Sequence, residues 1–73
     1  MQFEWCEAWV DELQEPPYVL LLLKERDGGF VVHDPAEKRF PFRSPELEVA
    51  KTWLNEDGFY RLNNGRISIP RSD

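Results

Sequence analysis

The single histidine of the chain, His33, stands beside Asp34, and this pair is the nearest approach in the sequence to an acid–base element. Neighbouring side chains in a strand point to opposite faces, so the two cannot orient each other as a catalytic dyad requires. No motif places a nucleophile or a second base near them. The sequence therefore predicts a protein without catalytic activity.

Metal and cofactor chemistry is not supported by the residue types either. The one histidine and the one cysteine, Cys6, fall short of the three or four ligands of a zinc site, and the carboxylates do not have the spacing of a calcium loop. Gly28 and Gly29 are not followed by the lysine of a phosphate-binding loop. We expect no metal site and no cofactor.

Two features of the sequence indicate the cellular compartment of the protein. A single cysteine is typical of a chain in a reducing compartment. The longest apolar run, 19–23, is much shorter than the ~20 residues of a membrane-spanning helix, and the N-terminus has no basic region of the signal-peptide type. The sequence predicts a soluble, cytoplasmic protein that does not enter a membrane.

The formal net charge of −5 is concentrated at the start of the chain. Residues 1–15 contain five acids and no lysine or arginine, whereas residues 16–73 contain nine acids and nine bases. Such asymmetry is typical of a surface that binds a basic partner, and a solvated helix face is the alternative. The residues predicted to bind a partner are Glu4, Trp5, Glu7, Asp11, Glu12 and Glu15.

An amphipathic helix over about residues 2–15 would present these acids. At 100° per residue the apolar side chains fall in one arc opposite the acids, and Pro16 and Pro17 end the pattern. Trp5 lies at the edge of this arc, which leaves open whether it joins the core or the interface. The other members of the arc are Phe3, Cys6, Trp9, Val10 and Leu13.

Three strands are predicted to follow. The apolar strand 17–26 leads into Asp27-Gly28, a two-residue turn signal, and strand 29–34 returns, so that Glu25 should face Phe30. Residues 38–43 alternate around Pro41, which cannot donate to a sheet and indicates an edge strand.

A second helix and a final hairpin complete the predicted elements. The helix spans about 45–57, with Ser44 and Pro45 at its start and Gly58 at its end. Asn64-Gly65 predicts a tight turn between strands 59–63 and 66–70. The inward side of this hairpin is expected to join the core through Tyr60, Leu62, Ile67 and Ile69.

These elements make one α+β domain over residues 1–73, in the order α-β-β-β-α-β-β, with two amphipathic helices packed on a mainly antiparallel sheet. The run Leu20–Leu23 is apolar on both faces of its strand, so both faces of the sheet need cover. Either the helices lie on opposite faces, or both cover one face and the other meets a second subunit or a partner.

Nucleic-acid binding is disfavoured by the residues, although the order helix, three strands, helix is that of double-stranded RNA-binding domains. The second helix has Glu46 and Glu48 where such a domain needs lysines for phosphates. An alternative basic surface is formed by Lys38, Arg39 and Arg43, for which a charged edge strand that resists aggregation is the simpler interpretation.

The stretch YVLLLLKERDGGFVVHDP, residues 18–35, followed by SPELEVA, resembles the three-strand-plus-helix unit of HicB-type antitoxins. Tyr18, Gly29, Phe30 and Pro35 match the pattern of that unit, whereas the family's glycine-cysteine segment between the strands has no counterpart. The resemblance implies inhibition of a small basic toxin.

The sequence thus favours a small acidic, non-catalytic interaction module: a regulator, inhibitor or adaptor. It would bind a basic protein surface through the acidic N-terminal helix or through an exposed face of the sheet. A homodimer is a second version of this hypothesis. The alternative is an antitoxin-like or nucleic-acid-binding small regulator that uses the basic strand 38–43.

Overall fold

The computed structural model describes residues 3–68, and the side chains of residues 63–65 are not included in that description. In chain order the elements are β1 (Phe3–Asp11), β2 (Tyr18–Glu25), β3 (Phe30–Asp34), β4 (Arg39–Ser44), α1 (Leu47–Glu56) and β5 (Tyr60–Ser68). Within these residues the five strands form one antiparallel sheet in the order β4-β3-β2-β1-β5. The predicted order α-β-β-β-α-β-β is therefore wrong, since residues 3–68 contain one helix where the sequence predicted two.

The opening segment is strand β1 and not the predicted helix over 2–15, of which residue 2 lies outside the described residues. β1 pairs with β2 along its length, with Glu7 opposite Leu22 and Val10 opposite Val19. Tryptophan, valine and phenylalanine favour strands, and pairing with a neighbouring strand outweighs a weak helical preference. Leu13, assigned to the helix core, lies in the β1–β2 turn and is almost fully exposed.

The predicted hairpin of strands 59–63 and 66–70 is also wrong, and residues 69–70 lie outside the described part of the chain. β5 runs along β1 as a single edge strand, with Arg61 opposite Trp9 and Arg66 opposite Glu7. Residues 62–65 stand against Ala8 alone, so the Asn-Gly pair lies in a bulge of an edge strand. The two halves of this segment therefore pair with β1, whereas the prediction paired them with each other.

The four elements in the middle of the chain lie within two residues of their predicted bounds, but the β2–β3 register differs by one. Lys24, and not Glu25, stands opposite Phe30, because the loop has three residues and closes with a hydrogen bond from Glu25 N–H to the Gly29 carbonyl (2.8 Å). Gly28 occupies the left-handed region of this loop with φ 110°.

The core lies between α1 and one face of the sheet, which we call the covered face. α1 packs on β3 and β4 through Ala50 and Leu54, which are four residues apart and fully buried. The central cluster is Trp9, Leu20, Leu22, Phe30, Val32, Ala50, Leu54 and Phe59. Among the described elements, none lies on the other face of the sheet.

Candidate functional site

The open face of the sheet is defined by side chains from its three central strands that point away from α1. Strand register places Leu21 opposite Ala8 and His33, and Leu23 opposite Cys6 and Val31. The open face consists of Cys6, Ala8, Val10, Val19, Leu21, Leu23, Val31 and His33. The two-sided apolar run of β2 is thus explained, because alternate leucines serve the core and the open face.

Large apolar side chains at the margin of the open face remain in contact with solvent. Ile67 is 66% exposed, Phe40 55%, Tyr60 43% and Val19 38%. Register ties two of them to the open face, since Ile67 lies opposite Cys6 and Tyr60 opposite Val10. The ring of Phe40 lies 4.8 Å from that of His33. At the centre of this face Val10, Leu23 and Val31 are already buried, so the exposed apolar side chains form its border. Exposed apolar side chains of this size mark interaction sites in soluble proteins when they group together.

Charged groups border the open face at opposite ends. Arg43 and Glu25 form an ion pair of 3.1 Å at one end. At the other end a hydrogen bond with Glu12 raises the pKa of Tyr60. Burial, and then the charge of Glu7, raise the pKa of Cys6, so this thiol is neutral near pH 7 and acts as an apolar contact. The open face therefore has an uncharged centre and a charged border.

The six residues predicted to bind a partner do not form one surface, because β1 is a strand and its side chains alternate between faces. Glu4 pairs with Lys24 (2.7 Å), and Asp11 accepts the Leu13 N–H (3.0 Å) within the β1–β2 turn. Glu12 and Glu15 are exposed in that turn.

Trp5 lies on the covered face at the margin of the core, which answers the question that the sequence left open. Its ring is half-buried, 6.0 Å from Phe30, with the guanidinium of Arg66 4.0 Å from its centre.

Glu7, one of the predicted partner-binding residues, is fully buried on the covered face. Arg66 contacts its Oε2 through Nη2 (2.6 Å) and Nε (2.7 Å), and Arg61 through Nη1 (3.3 Å). Trp9 Nε1 donates to Oε1 (3.3 Å). The cluster fixes β5 to β1 and covers the part of the sheet that α1 does not reach. The one sequence signal for the buried position of Glu7 is the alternation of β1, which places Glu7 on the same face as Trp5 and Trp9.

The predicted basic surface is likewise divided. Arg43 is paired with Glu25 on the open face, whereas Arg39 lies 3.8 Å from Asp34, which points to the covered face. Lys38 is exposed in the turn between β3 and β4, with φ 56°. Each of these two arginines has a carboxylate partner, so neither offers an unpaired charge to a phosphate backbone.

A second concave site, which sequence reasoning missed, lies at one end of the covered face. It is a cavity of about 230 Å³ between the β1–β2 turn, β4 and the end of α1. Tyr18 donates its hydroxyl proton to the buried carboxylate of Asp34, whose two oxygens lie 2.9 and 2.8 Å away. The residues come from distant parts of the chain, and no local motif joins them.

The electrostatics of this cavity are set by Asp34. Burial raises the pKa of Asp34, but hydrogen bonds from Tyr18 and from the Glu37 N–H (3.1 Å), with the charge of Arg39, outweigh it and hold this pKa below its ordinary value. The same contact with Asp34 raises the pKa of Tyr18. At neutral pH the pair is therefore an ionised carboxylate and a protonated phenol.

Together, the fold and its surfaces define a small antiparallel sheet with one helix on one face and an apolar open face. Between residues 3 and 68, no group of three or more His, Cys, Asp or Glu side chains is placed to hold a metal ion. No helix in that part of the chain is long and apolar enough to span a bilayer. Comparison of the chain with protein-family models, curated proteins and solved structures finds no match.

Proposed function

We propose that this protein is a small, non-catalytic interaction module, a regulator, inhibitor or adaptor, that binds a basic protein through the open face of its sheet. The observation that carries the proposal is the apolar surface around Leu21, bordered by the exposed side chains of Val19, Phe40, Tyr60 and Ile67. The acidic-helix version of the hypothesis is dropped, since that segment is strand β1.

The size of the apolar margin supports specific binding. Complete burial of one large apolar side chain contributes roughly 1.5–3 kcal/mol, and about half of each of the four marginal side chains is still exposed. Their burial would contribute roughly 3–6 kcal/mol. Association costs at least about 4 kcal/mol in lost freedom, so the partner must add polar and central contacts. Tyr60 and Phe40 are of the residue types that most often anchor such interfaces.

Charge supports the choice of a basic partner. The net charge of −5 attracts a basic protein over a distance and speeds encounter, while the apolar contacts hold the complex. This combination also suits inhibition of a small basic toxin, as the resemblance to HicB-type antitoxins implies. We place the interaction in the cytoplasm, where the free thiol of Cys6 stays reduced.

Nucleic-acid binding receives less support. Arg39, Arg43, Arg61 and Arg66 all have carboxylate partners within 4 Å. A phosphate would have to compete with Asp34, Glu25 or Glu7 for each of them, which lowers the gain from releasing counterions.

Site-specific photo-crosslinking in the native cell tests the proposal. A photoreactive residue is placed at Val19 or Ile67 on the open face, and at Thr52, which is exposed on α1, as the matched control. We expect the same basic protein to be joined at both open-face positions and not at Thr52. After purification, that protein should bind the wild-type chain and lose most of its affinity for Ile67→Glu. Equal capture at all three positions, or unchanged affinity for Ile67→Glu, would contradict the proposal.

The homodimer is distinguished by mass. Crosslinks from the open face to a second copy, with a light-scattering mass that rises toward twice 8.7 kDa at high concentration, would assign the open face to self-association. A mass near 8.7 kDa at every concentration, with crosslinks to another protein, supports the basic partner.

A further inference from the structure

We propose that the cavity between the β1–β2 turn and the end of α1 binds an alkylammonium group. The site lies on the covered side of the sheet, so it is separate from the open face and does not depend on the function proposed for it. Its volume of about 230 Å³ is below the roughly 300–1,000 Å³ of pockets for drug-sized molecules. It therefore suits a group the size of one long side chain.

Hydrogen-bond acceptors dominate the polar lining of the cavity. Tyr18 gives its proton to Asp34, which leaves its oxygen as an acceptor. Gln14 donates its amide nitrogen to Asp11 (3.2 Å), which leaves its carbonyl oxygen. Within the described residues, the carboxylate of Asp57 has no hydrogen-bond or ion-pair partner. An ammonium carries up to three donors and no acceptor, which matches this set.

The apolar lining is aromatic and adds a second attraction for a cation. Trp53, Phe59 and Tyr18 contribute to the wall, and the rings of Tyr18 and Phe59 meet edge to face at 6.2 Å. Ring faces attract cations, and the attraction grows when water is partly excluded, as it is at the buried Phe59. An aromatic wall with a carboxylate at its edge is the arrangement that recognises organic ammonium groups.

Arg39 is the one cation among the described lining residues, and it does not convert the cavity to an anion site. It is mostly exposed and its Nε is 3.8 Å from Asp34, so it is held loosely. Two carboxylates, Asp34 and Asp57, line the cavity together with this single positive charge. The exposed Glu15 in the neighbouring turn adds to the negative potential at the same end of the molecule. The net field therefore favours a cation.

The ligand chemistry has two possible sources, a free amine such as a polyamine and the lysine side chain of a protein. Both present a flexible chain that ends in an ammonium, and the cavity recognises that shared feature. Titrations with n-butylammonium, spermidine and a lysine blocked at both ends separate them. Tighter binding of spermidine assigns the site to free amines, and equal or tighter binding of the blocked lysine assigns it to a peptide.

The test is an NMR titration of the full-length chain with these probes, followed through the indole N–H signals. We expect n-butylammonium to shift the Trp53 signal, with a Kd in the millimolar range, and to leave the Trp9 signal in place. Asp57→Asn should weaken binding about three- to tenfold, as for loss of one charge-assisted contact in a partly exposed site. Asp27→Asn, an exposed acid in the β2–β3 turn, is the matched control and should bind like the wild type.

Three results would overturn the assignment. Butyrate could shift Trp53 as strongly as n-butylammonium, which would mean that Arg39 governs the site. Equal shifts with the uncharged 1-butanol would reduce the cavity to an apolar pocket. Unchanged affinity in Asp57→Asn, with a folded spectrum, would show that the carboxylate does not take part. The crosslinking experiment on the open face is unaffected by any of these results.

Discussion

Arg66→Ala is expected to destabilise the protein much more than a surface substitution, although Arg66 is 43% exposed. Glu7 is fully buried and receives two close contacts from Arg66, at 2.6 and 2.7 Å. Removal of one partner of a buried ion pair costs about 3–5 kcal/mol. Arg61, 3.3 Å from the same oxygen, remains and reduces this to roughly 2–3 kcal/mol. Loss of the cation–π contact with Trp5 adds roughly 0.5–1 kcal/mol.

Urea unfolding measures this change directly. A 73-residue domain has a free energy of unfolding of roughly 4–11 kcal/mol, so a loss of about 3 kcal/mol removes a large part of it. The midpoint of thermal unfolding should fall by roughly 12–24 °C. Arg43→Ala is the matched control, because Arg43 also pairs with a glutamate, Glu25, but at the exposed border of the open face. It should cost at most about 1 kcal/mol.

A double-mutant cycle with Glu7→Gln isolates the ion pair. Glutamine keeps the shape of the side chain and removes the buried charge, so Arg66→Ala in that background should lose only the contact with Trp5, roughly 1 kcal/mol. The coupling between the two positions is then about 2 kcal/mol. Equal costs for Arg66→Ala in both backgrounds, or a cost no larger than that of Arg43→Ala, would refute the assignment of a buried ion pair to Glu7.

Four further outcomes follow from the same structure. Because the pKa of Asp34 is lowered in the folded state, its ionised carboxylate stabilises the fold above about pH 4, and this contribution is lost as the pH falls through the pKa of the folded state. Asp34→Asn should therefore flatten this part of the pH–stability curve, measured by urea unfolding. Tyr18→Phe removes the hydrogen bond to Asp34 and should cost roughly 1–3 kcal/mol in the same assay at pH 7. Leu22→Ala, at a fully buried position, should lower the free energy of unfolding by roughly 2–5 kcal/mol, whereas Ile67→Ala should lower it by less than about 1 kcal/mol. Similar losses for the two variants would contradict the division into covered and open faces. Gly28→Ala should cost about 1 kcal/mol through its φ of 110°, since open space surrounds the added Cβ.

The parts of the fold that follow from the sequence are those with local signals. β2 and β3 are joined by a glycine turn, β4 carries a proline at the sheet edge, and α1 has start and stop residues. Their bounds differ from prediction by two residues at most. The β2–β3 register was missed by one residue because both two- and three-residue loops accept a glycine with positive φ, and the sequence does not separate them.

The two ends of the chain were assigned wrongly because long-range contacts determine them. A short segment with Trp5, Trp9 and Val10 at its apolar positions fits a helical arc and an alternating strand almost equally well. The buried Glu7 favours the strand, but only through arginines more than fifty residues later in the chain. No local pattern shows that these charges meet, and the same contact turns the Asn64-Gly65 signal into a bulge.

The same reasoning explains which part of the candidate site could be predicted. The need for cover on both faces of β2 was visible in the run Leu20–Leu23, because uninterrupted apolar residues do not suit a sheet with one side in water. What covers each face could not be read from the sequence, since it depends on whether the first segment is a helix. The cavity lined by Tyr18, Trp53 and Asp57 was invisible for a related reason, as three separate segments form it.

Between residues 3 and 68, α1 covers one face of the five-stranded sheet, and the opposite face can meet either water or a partner. The composition of that opposite face therefore bears on function. An antiparallel sheet is stable with one side in water when that side carries polar residues. The first segment has polar residues in abundance, yet β1 places Glu7 inside and Cys6, Ala8 and Val10 on the open face. Val19 and Ile67 keep 38% and 66% of their surface exposed in the monomer, so neither is fully used by the fold. Val10, Leu23 and Val31 of the open face are buried in the folded chain and contribute to its stability, whereas the exposed side chains of Val19 and Ile67 are the ones that binding of a partner would bury.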